Sequence, residues 1–301
     1  MISARNYAAQ AERSLRVVSE NNAGRFDRTA NYALHLSETI KKAQHFAIPD
    51  NGALFDDGLK GLDLERIRLP FEKITVEWFI SNPLNDGKNP VPKRLVVASE
   101  NEELNAISVC GAFAIPSGMW AFNPFELFIK MDSNLPFSIG VGGDVVPLKL
   151  DDGREVMIAA AFTQDQFANN VQNGTFSQKE VFASFEDSTQ ELMGLFEFLE
   201  ALSCKNVIAE PLEKIDHAKN IRRIRDGKLP IYETRILTID TGCSSGEKHN
   251  RGIGSVDGAS IRQHLRRGHI RRHPTAGNIW VNSCVVGSSE IGVIDKSYKV
   301  Y

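Results

Sequence analysis

Arginine and histidine are concentrated in one short segment, RQHLRRGHIRRHP, which covers residues 262–274. The segment contains five arginines and three histidines. Arginine binds phosphate through two parallel hydrogen bonds, and histidine can move protons near neutral pH. These residue types therefore indicate a phosphate-binding surface, and they are also the parts of a metal-independent ribonuclease.

A β-hairpin would organise these groups. With the two-residue period of a strand, Arg267, His269, Arg271 and His273 point to one side. The next segment, NIWVNSCVVG, is rich in β-branched residues and favours a partner strand after a PTAG turn. The predicted pairs are His273 with Asn278, Arg271 with Trp280, His269 with Asn282, Arg267 with Cys284, Ile270 with Val281 and Arg272 with Ile279. A shift of one residue would exchange the two faces, so this register is a hypothesis.

Ribonuclease chemistry assigns a role to each group. His269 is the candidate base or acid, with His264 or His273 as its partner, and arginine would stabilise the charged phosphate. Trp280 could stack on a base or on Arg271. The predicted nucleic-acid-binding residues are Arg262, Arg266, Arg267, Arg271, Arg272, Trp280 and Asn282.

The same residues also fit three other interpretations. Arginine-rich segments bind nucleic-acid backbones without cleaving them. The three histidines could hold zinc, but their spacing is unusual for any regular element, and we predict no metal and no cofactor. The arginines could instead lock the fold by pairing with carboxylates. The sequence does not decide whether the protein is an enzyme.

Charge is distributed unevenly along the chain of 301 residues, whose net charge is −3. Residues 205–301 contain 17 Lys or Arg and 10 Asp or Glu, and the remainder contains 18 and 28, a net charge of −10. The basic region could attract a polyanion or dock on the acidic part. The four cysteines form no CxxC pair, which indicates neither a disulfide framework nor a zinc site. No apolar run resembles a membrane span or a signal peptide, so we expect a cytoplasmic protein without a membrane partner.

Hydrophobic periodicity predicts an α+β fold. Two N-terminal helices are expected at 6–20 and 27–46, the second capped by Asp27 or Thr29. Strands are expected at 73–80, 93–100, 105–115, 118–130 and 155–163, in a central, mostly antiparallel sheet. A long packing helix at 181–204 carries an apolar stripe of Leu192, Leu195, Phe196, Leu199 and Leu202. The predicted regions are 1–65 (helical), 66–204 (sheet and long helix) and 205–301 (a small, basic, β-rich unit).

Several segments resemble a group of bacteriophage and prophage proteins of unassigned function. The resemblance lies in HLRRGHIRR, IWVNSCVVG and IDKSYKV near the C-terminus and in RLPFEKITVEW, LEALSCKNVIAE and RDGKLPIYETRIL upstream. It covers about three quarters of the chain, and the RRGH signature is its most specific part. The resemblance implies a phage origin and expression in the cytoplasm of an infected or lysogenic bacterium, but it implies no activity.

These observations are consistent with two functions, nucleic-acid binding and protein binding. In the first, a phage accessory protein binds nucleic acid, RNA in preference to DNA, through the basic C-terminal hairpin, and could cleave RNA. In the second, a non-enzymatic phage protein binds a host or phage protein, as a defence inhibitor or a replication or assembly factor. Salt-sensitive binding to nucleic acid would favour the first function, and a nuclease-resistant complex with a protein would favour the second.

Overall fold

The computed structural model describes residues 5–54, 68–81, 92–130, 145–149, 155–239, 262–266, 269–273, 277–281, 284–286 and 288–293. Within these ranges the helices are α1 (Tyr7–Asn22), α2 (Asp27–Lys42), α3 (Asp165–Gln172), α4 (Gln178–Leu202) and α5 (His217–Arg225), with a short 3-10 turn at Asp50–Gly52. The two N-terminal helices and the long helix α4 confirm the sequence prediction.

The strands in these ranges are β1 (Gln44–Ala47), β2 (Lys73–Phe79), β3 (Lys93–Asn101), β4 (Ala106–Ala114), β5 (Trp120–Phe122), β6 (Phe125–Lys130), β7 (Val145–Lys149), β8 (Glu155–Phe162), β9 (Val207–Pro211), β10 (Thr234–Ile239), β11 (Arg262–Arg266), β12 (His269–His273), β13 (Gly277–Val281), β14 (Cys284–Val286) and β15 (Ser288–Val293). The predicted run 118–130 is two strands, because Asn123 and Pro124 interrupt it and proline has no backbone N–H for a ladder. Sequence reasoning missed β7 and α3.

The main sheet has the strand order β7-β8-β6-β4-β3-β2-β1-β10-β9, with β5 paired to β4. Each pair of neighbouring strands along the order β7-β8-β6-β4-β3-β2 is antiparallel. Strand β1 is parallel to both of its neighbours, β2 and β10. The sheet is therefore mixed, and with the helices it confirms an α+β fold.

The prediction that the second helix continues to residue 46 is wrong. Helix α2 ends at Lys42, and the next residues form β1. Strand β1 lies between β2 and β10 in the sheet, and its side chains His45 and Phe46 are buried. Two ladders of backbone hydrogen bonds and this burial outweigh the helical propensity of the segment.

The predicted cap of α2 is also wrong. Phe26 occupies the N-cap and forms no side-chain cap bond. The Asp27 carboxylate instead accepts the N–H of Gly24 at 2.9 Å. Asp165, at the start of α3, accepts the N–H of Thr29 at 3.0 Å, and the Thr29 hydroxyl accepts the N–H of Asp165 at 2.9 Å. The carboxylate of Asp165, which is distant in sequence, therefore accepts a hydrogen bond from the first turn of α2.

Both faces of the sheet carry apolar packing. One cluster joins the inner sides of α1 and α2 to the strands, with Leu15, Ile40, Leu95 and Trp120 all buried. Phe198 of α4 packs on Phe46 of β1 at 4.8 Å between ring centroids. Of the predicted α4 stripe, Leu192, Leu195, Phe196 and Leu199 are buried, whereas Leu202 is only partly buried.

The chain divides into two compact units. One consists of Met1–Glu200 with Ala209–Leu237, and the other consists of Ala201–Ile208 with Thr238–Tyr301. The N-terminal helices lie in the same unit as most of the main sheet. Among the described residues, no helix is both long enough and apolar enough to cross a membrane.

Candidate nucleic-acid interface

The arginine-rich segment forms two strands with different partners. Strand β11 pairs antiparallel with β14 and parallel with β15, whereas β12 pairs with β13 in a separate two-stranded sheet. His264 therefore belongs to a different sheet from His269 and His273. Arg262 and Arg266 lie with His264 on β11, and Arg271 and Arg272 lie on β12. Arg267, Asn282 and the glycine-rich segment 241–260 lie outside the described residues.

The hairpin itself is present, but the predicted register is wrong by one residue. His273 pairs with Gly277, Arg271 with Ile279, Ile270 with Trp280 and His269 with Val281. Gly277 has a φ of +81°, a left-handed conformation that glycine adopts at little cost. Three residues therefore connect the strands, where the prediction used four, and each partner on β13 moves by one place. The predicted pair of Arg267 with Cys284 is also wrong, because Cys284 pairs with Arg266.

This shift changes which residues share a face. Arg271 now lies on the same face as its partner Ile279, because cross-strand partners share a face. Ile270 shares the other face with its partner Trp280. Stacking of Trp280 on Arg271 is therefore excluded. Arg271 is exposed, whereas Ile270 and Trp280 are partly buried.

The segment Ser203–Asn206 covers the outer edge of β13. The Asn206 side chain accepts the N–H of Trp280 at 2.7 Å and donates to its carbonyl oxygen at 2.8 Å. The N–H of Lys205 donates to the carbonyl of Asn278 at 3.0 Å, and the Asn278 amide donates to the Ser203 hydroxyl at 3.3 Å. These bonds satisfy backbone N–H and C=O groups at the edge of β13 and hold the hairpin in place. Arg271 lies on the other strand of the hairpin, β12.

Carboxylates are absent from the stretch of sequence around Arg271. The 32 residues from Gly258 to Ser289 include no Asp or Glu. Within the described part of the chain, no ion pair joins Arg271 to another residue. Its guanidinium is therefore exposed to solvent. An exposed guanidinium can bind an anion from solution, such as a phosphate.

A second group of polar residues, which sequence reasoning missed, is buried beside α4. Arg94 of β3 contacts Glu191 of α4 at 2.7 Å, and the Asn123 amide donates to the same carboxylate at 3.2 Å. Burial raises the pKa of Glu191, and the Arg94 charge opposes that rise. A Cβ atom on Gly111 would lie 2.5 Å from Asn123 Nδ2 and 2.9 Å from Glu191 Cδ, so a glycine is needed there. A glycine inside a strand is a sequence signal for such a close approach.

This group borders a cavity of about 150 Å³. Trp78 forms part of its wall, between the backbones of Gly52 and Gly194. The cavity is small beside ligand pockets, which are commonly about 300–1,000 Å³, and Glu191 is already paired. We therefore interpret the Arg94–Glu191–Asn123 group as structural. Among the residues that the structure describes, no cluster of three or more His, Cys, Asp or Glu could hold a metal ion.

Two buried ionisable groups lie near the start of α1 and in β1. Glu77 is 2% exposed, and its carboxylate accepts the N–H groups of Tyr7 at 2.8 Å and Ala8 at 3.3 Å. Burial raises the pKa of Glu77 to about 7, although these two N–H groups and Arg5 lower it. His45 stacks on Tyr232 at 4.4 Å, and burial lowers the pKa of His45 to about 4. Neither Glu77 nor His45 is among the residues that line the cavity of about 150 Å³ beside Glu191, and we interpret both as groups that support the fold.

Comparison of this chain with known protein families, curated proteins and solved structures finds no match. The resemblance to phage proteins therefore stays a prediction.

Proposed function

We propose that this protein binds nucleic acid, RNA in preference to DNA, through the β12–β13 hairpin. The observation that carries the proposal is the exposed Arg271, on a strand that also contains Arg272, His269 and His273, in a segment without carboxylates. Cations held on a rigid hairpin neutralise phosphates and release the counterions of the polyanion. The anchoring of β13 by Asn206 supplies that rigidity.

Strand geometry favours binding over cleavage. His269 and His273 are four residues apart on one strand, which corresponds to about 13 Å along its axis. A general acid and a general base that act on one phosphate must each come within about 3 Å of the reacting group, so these two histidines do not suit a shared phosphate. The catalytic roles of His264, His269 and His273 stay predictions.

The test is an equilibrium binding measurement with fluorescent single-stranded RNA, double-stranded RNA and double-stranded DNA at two salt concentrations in the presence of EDTA. We expect salt-sensitive binding that Arg271→Ala weakens by about threefold to tenfold, with a salt slope smaller by about one. Arg28→Ala removes an arginine that is also exposed, on α2, and should bind like the unmodified protein.

The same samples, analysed on a denaturing gel, separate binding from cleavage. Intact ligand would support a binding protein, whereas cleavage in EDTA that is lost in His269→Ala would restore the ribonuclease hypothesis. Equal binding by Arg271→Ala and the unmodified protein, or no binding to any of the three ligands at low salt, would refute the proposal.

A further inference from the structure

The segment 203–206, between α4 and β9, brings a lysine to the arginine-rich hairpin. Residues Ala201–Ile208 belong to the same compact unit as Thr238–Tyr301, so this segment and the hairpin fold together. Lys205 is the cation of the segment, and it is exposed. It precedes Arg271 by 66 residues in the chain. The tertiary structure therefore adds a positive charge to the hairpin that the arginine-rich segment itself does not contain.

The side chain of Lys205 lies over the first residue of β13. A Cβ atom on Gly277 would be 3.0 Å from Cε of Lys205, 3.6 Å from its Nζ and 3.8 Å from its Cδ. Because Gly277 has no side chain, the end of the Lys205 side chain occupies the space beside it. The ammonium group therefore lies close to the turn between β12 and β13.

The backbone around Lys205 is fixed by hydrogen bonds to β13. The N–H of Lys205 donates to the carbonyl of Asn278 at 3.0 Å. The next residue, Asn206, bonds both the N–H and the carbonyl of Trp280, at 2.7 and 2.8 Å. The position of the lysine Cα is thus set before any ligand arrives. Less conformational entropy is then lost when the ammonium binds an anion.

The strand register shows that Lys205 and Arg271 are close in space. Gly277 pairs with His273, and Ile279 pairs with Arg271. Two residues along a strand span about 7 Å, and paired Cα atoms lie about 5 Å apart. The Cα atoms of Gly277 and Arg271 are thus about 8 Å apart, and the Lys205 ammonium is within about 13 Å of the Arg271 Cα. Phosphates of one strand repeat every 3.4 Å or so along a duplex axis, so about four nucleotides cover this span.

Neither cation has its charge neutralised within the part of the chain that the structure describes. No ion pair joins Lys205 or Arg271 to another described residue. Both side chains are exposed, and together they raise the positive potential at this end of the hairpin. An anionic chain that contacts both groups releases counterions at two phosphates, whereas a single phosphate reaches one group at a time.

We propose that Lys205 and Arg271 bind two different phosphates of the same RNA strand, which lies across the turn end of the β12–β13 hairpin. This inference rests on the proposed function, because it adds a second contact to the same interface. The ammonium acts as a point charge and the guanidinium as a two-pronged donor. Two connected phosphates are needed to engage both groups, so a mononucleotide binds through one of them only.

The test is a double-mutant cycle in the binding assay described above, with fluorescent single-stranded RNA. Lys205→Ala should weaken binding by about threefold to tenfold and reduce the salt slope by about one, and the double variant with Arg271→Ala should reduce it by about two. Lys205→Arg keeps the charge and should bind like the unmodified protein. Lys179→Ala removes an exposed lysine of α4 and is the matched control. The backbone N–H of residue 205 is present in every variant, so the bond to Asn278 is retained.

A length series tests the need for connected phosphates. Affinity for the unmodified protein should rise from a mononucleotide to an oligonucleotide of about four to six residues, and Lys205→Ala should flatten this rise. Equal affinity for the mononucleotide and the longer ligands would overturn the inference.

Failure of this inference differs from failure of the proposed function. A salt slope that Arg271→Ala lowers and Lys205→Ala leaves unchanged would overturn the role of Lys205 and leave the hairpin as the interface. Lys205→Arg that binds as weakly as Lys205→Ala would mean that packing on Gly277, not charge, is what matters, and would also overturn it. Absence of binding to every ligand would overturn both proposals. Thermal unfolding of each variant verifies that the fold is retained.

Discussion

The buried carboxyl group of Glu77 should make the stability of this protein fall as the pH rises. The pKa of Glu77 is about 7 in the folded protein, whereas the ordinary value of 4.5 applies in the unfolded chain. The two values differ by about 2.5 pH units, and each unit corresponds to about 1.36 kcal/mol. Because the folded pKa is the higher one, the stabilisation is fully present below pH 4.5 and is lost as the pH rises through 7. The magnitude of this loss is about 3 kcal/mol.

Glu77→Gln isolates this contribution. The amide oxygen can still accept the N–H of Tyr7, but the side chain no longer acquires a buried charge at high pH. The free energy of unfolding is measured with urea at pH 4.5, 6 and 8, followed by tryptophan fluorescence. The difference between Glu77→Gln and the unmodified protein should increase in favour of the variant by about 3 kcal/mol from pH 4.5 to 8.

Glu102→Gln, at an exposed turn between β3 and β4, controls for the loss of one surface carboxylate. A difference for Glu77→Gln that is constant with pH would refute the reasoning. So would a difference that changes in the opposite direction, because the carboxylate would then be stabilised by the α1 N-terminus more than burial destabilises it.

Three further predictions concern other buried groups. His45, with a pKa of about 4 against 6.5 in an exposed chain, should lower stability by about 3 kcal/mol as the pH falls from 6.5 to 4; urea unfolding of His45→Gln should lack this loss. Gly111→Ala places its Cβ atom 2.5 Å from Asn123 Nδ2 and should destabilise by about 1–3 kcal/mol in the same assay; an unchanged urea midpoint would contradict the close packing. Arg94→Met leaves the buried Glu191 carboxylate without its cation and should cost about 3 kcal/mol at pH 8. Protonation of Glu191 removes the unpaired charge, so the cost measured at pH 5 should be smaller; equal costs at both pH values would argue against the ion pair.

Much of the fold could be predicted from local sequence patterns. The strands β2 and β3 agree with the prediction made from their β-branched and aromatic residues, which favour strands, and the helix α4 agrees with the helical spacing of its apolar residues. Strand β1 could not be predicted in this way. Its residues follow α2 without a breaker, and their strand conformation depends on β2 and β10, which lie about 30 and 190 residues further along the chain.

The candidate interface was only partly predictable for the same reason. Alternation indicated a hairpin in the arginine-rich segment, but it could not distinguish a connection of three residues from one of four. The left-handed Gly277 and the bonds from Asn206 to Trp280 accompany the observed register. Neither could be inferred from alternation alone, and the one-residue difference moved Trp280 away from Arg271.

Residue types and their local order are enough to predict an α+β protein with a basic, carboxylate-free hairpin near its C-terminus, because charge density and periodicity are properties of short segments. The tertiary structure decides how distant segments meet. It separates His264 from His269 by placing their strands in different sheets. It buries Glu77 against the start of α1, pairs Arg94 with Glu191, and places the Lys205 side chain over Gly277. Each of these outcomes depends on which surfaces are removed from water together, and only the folded chain determines that.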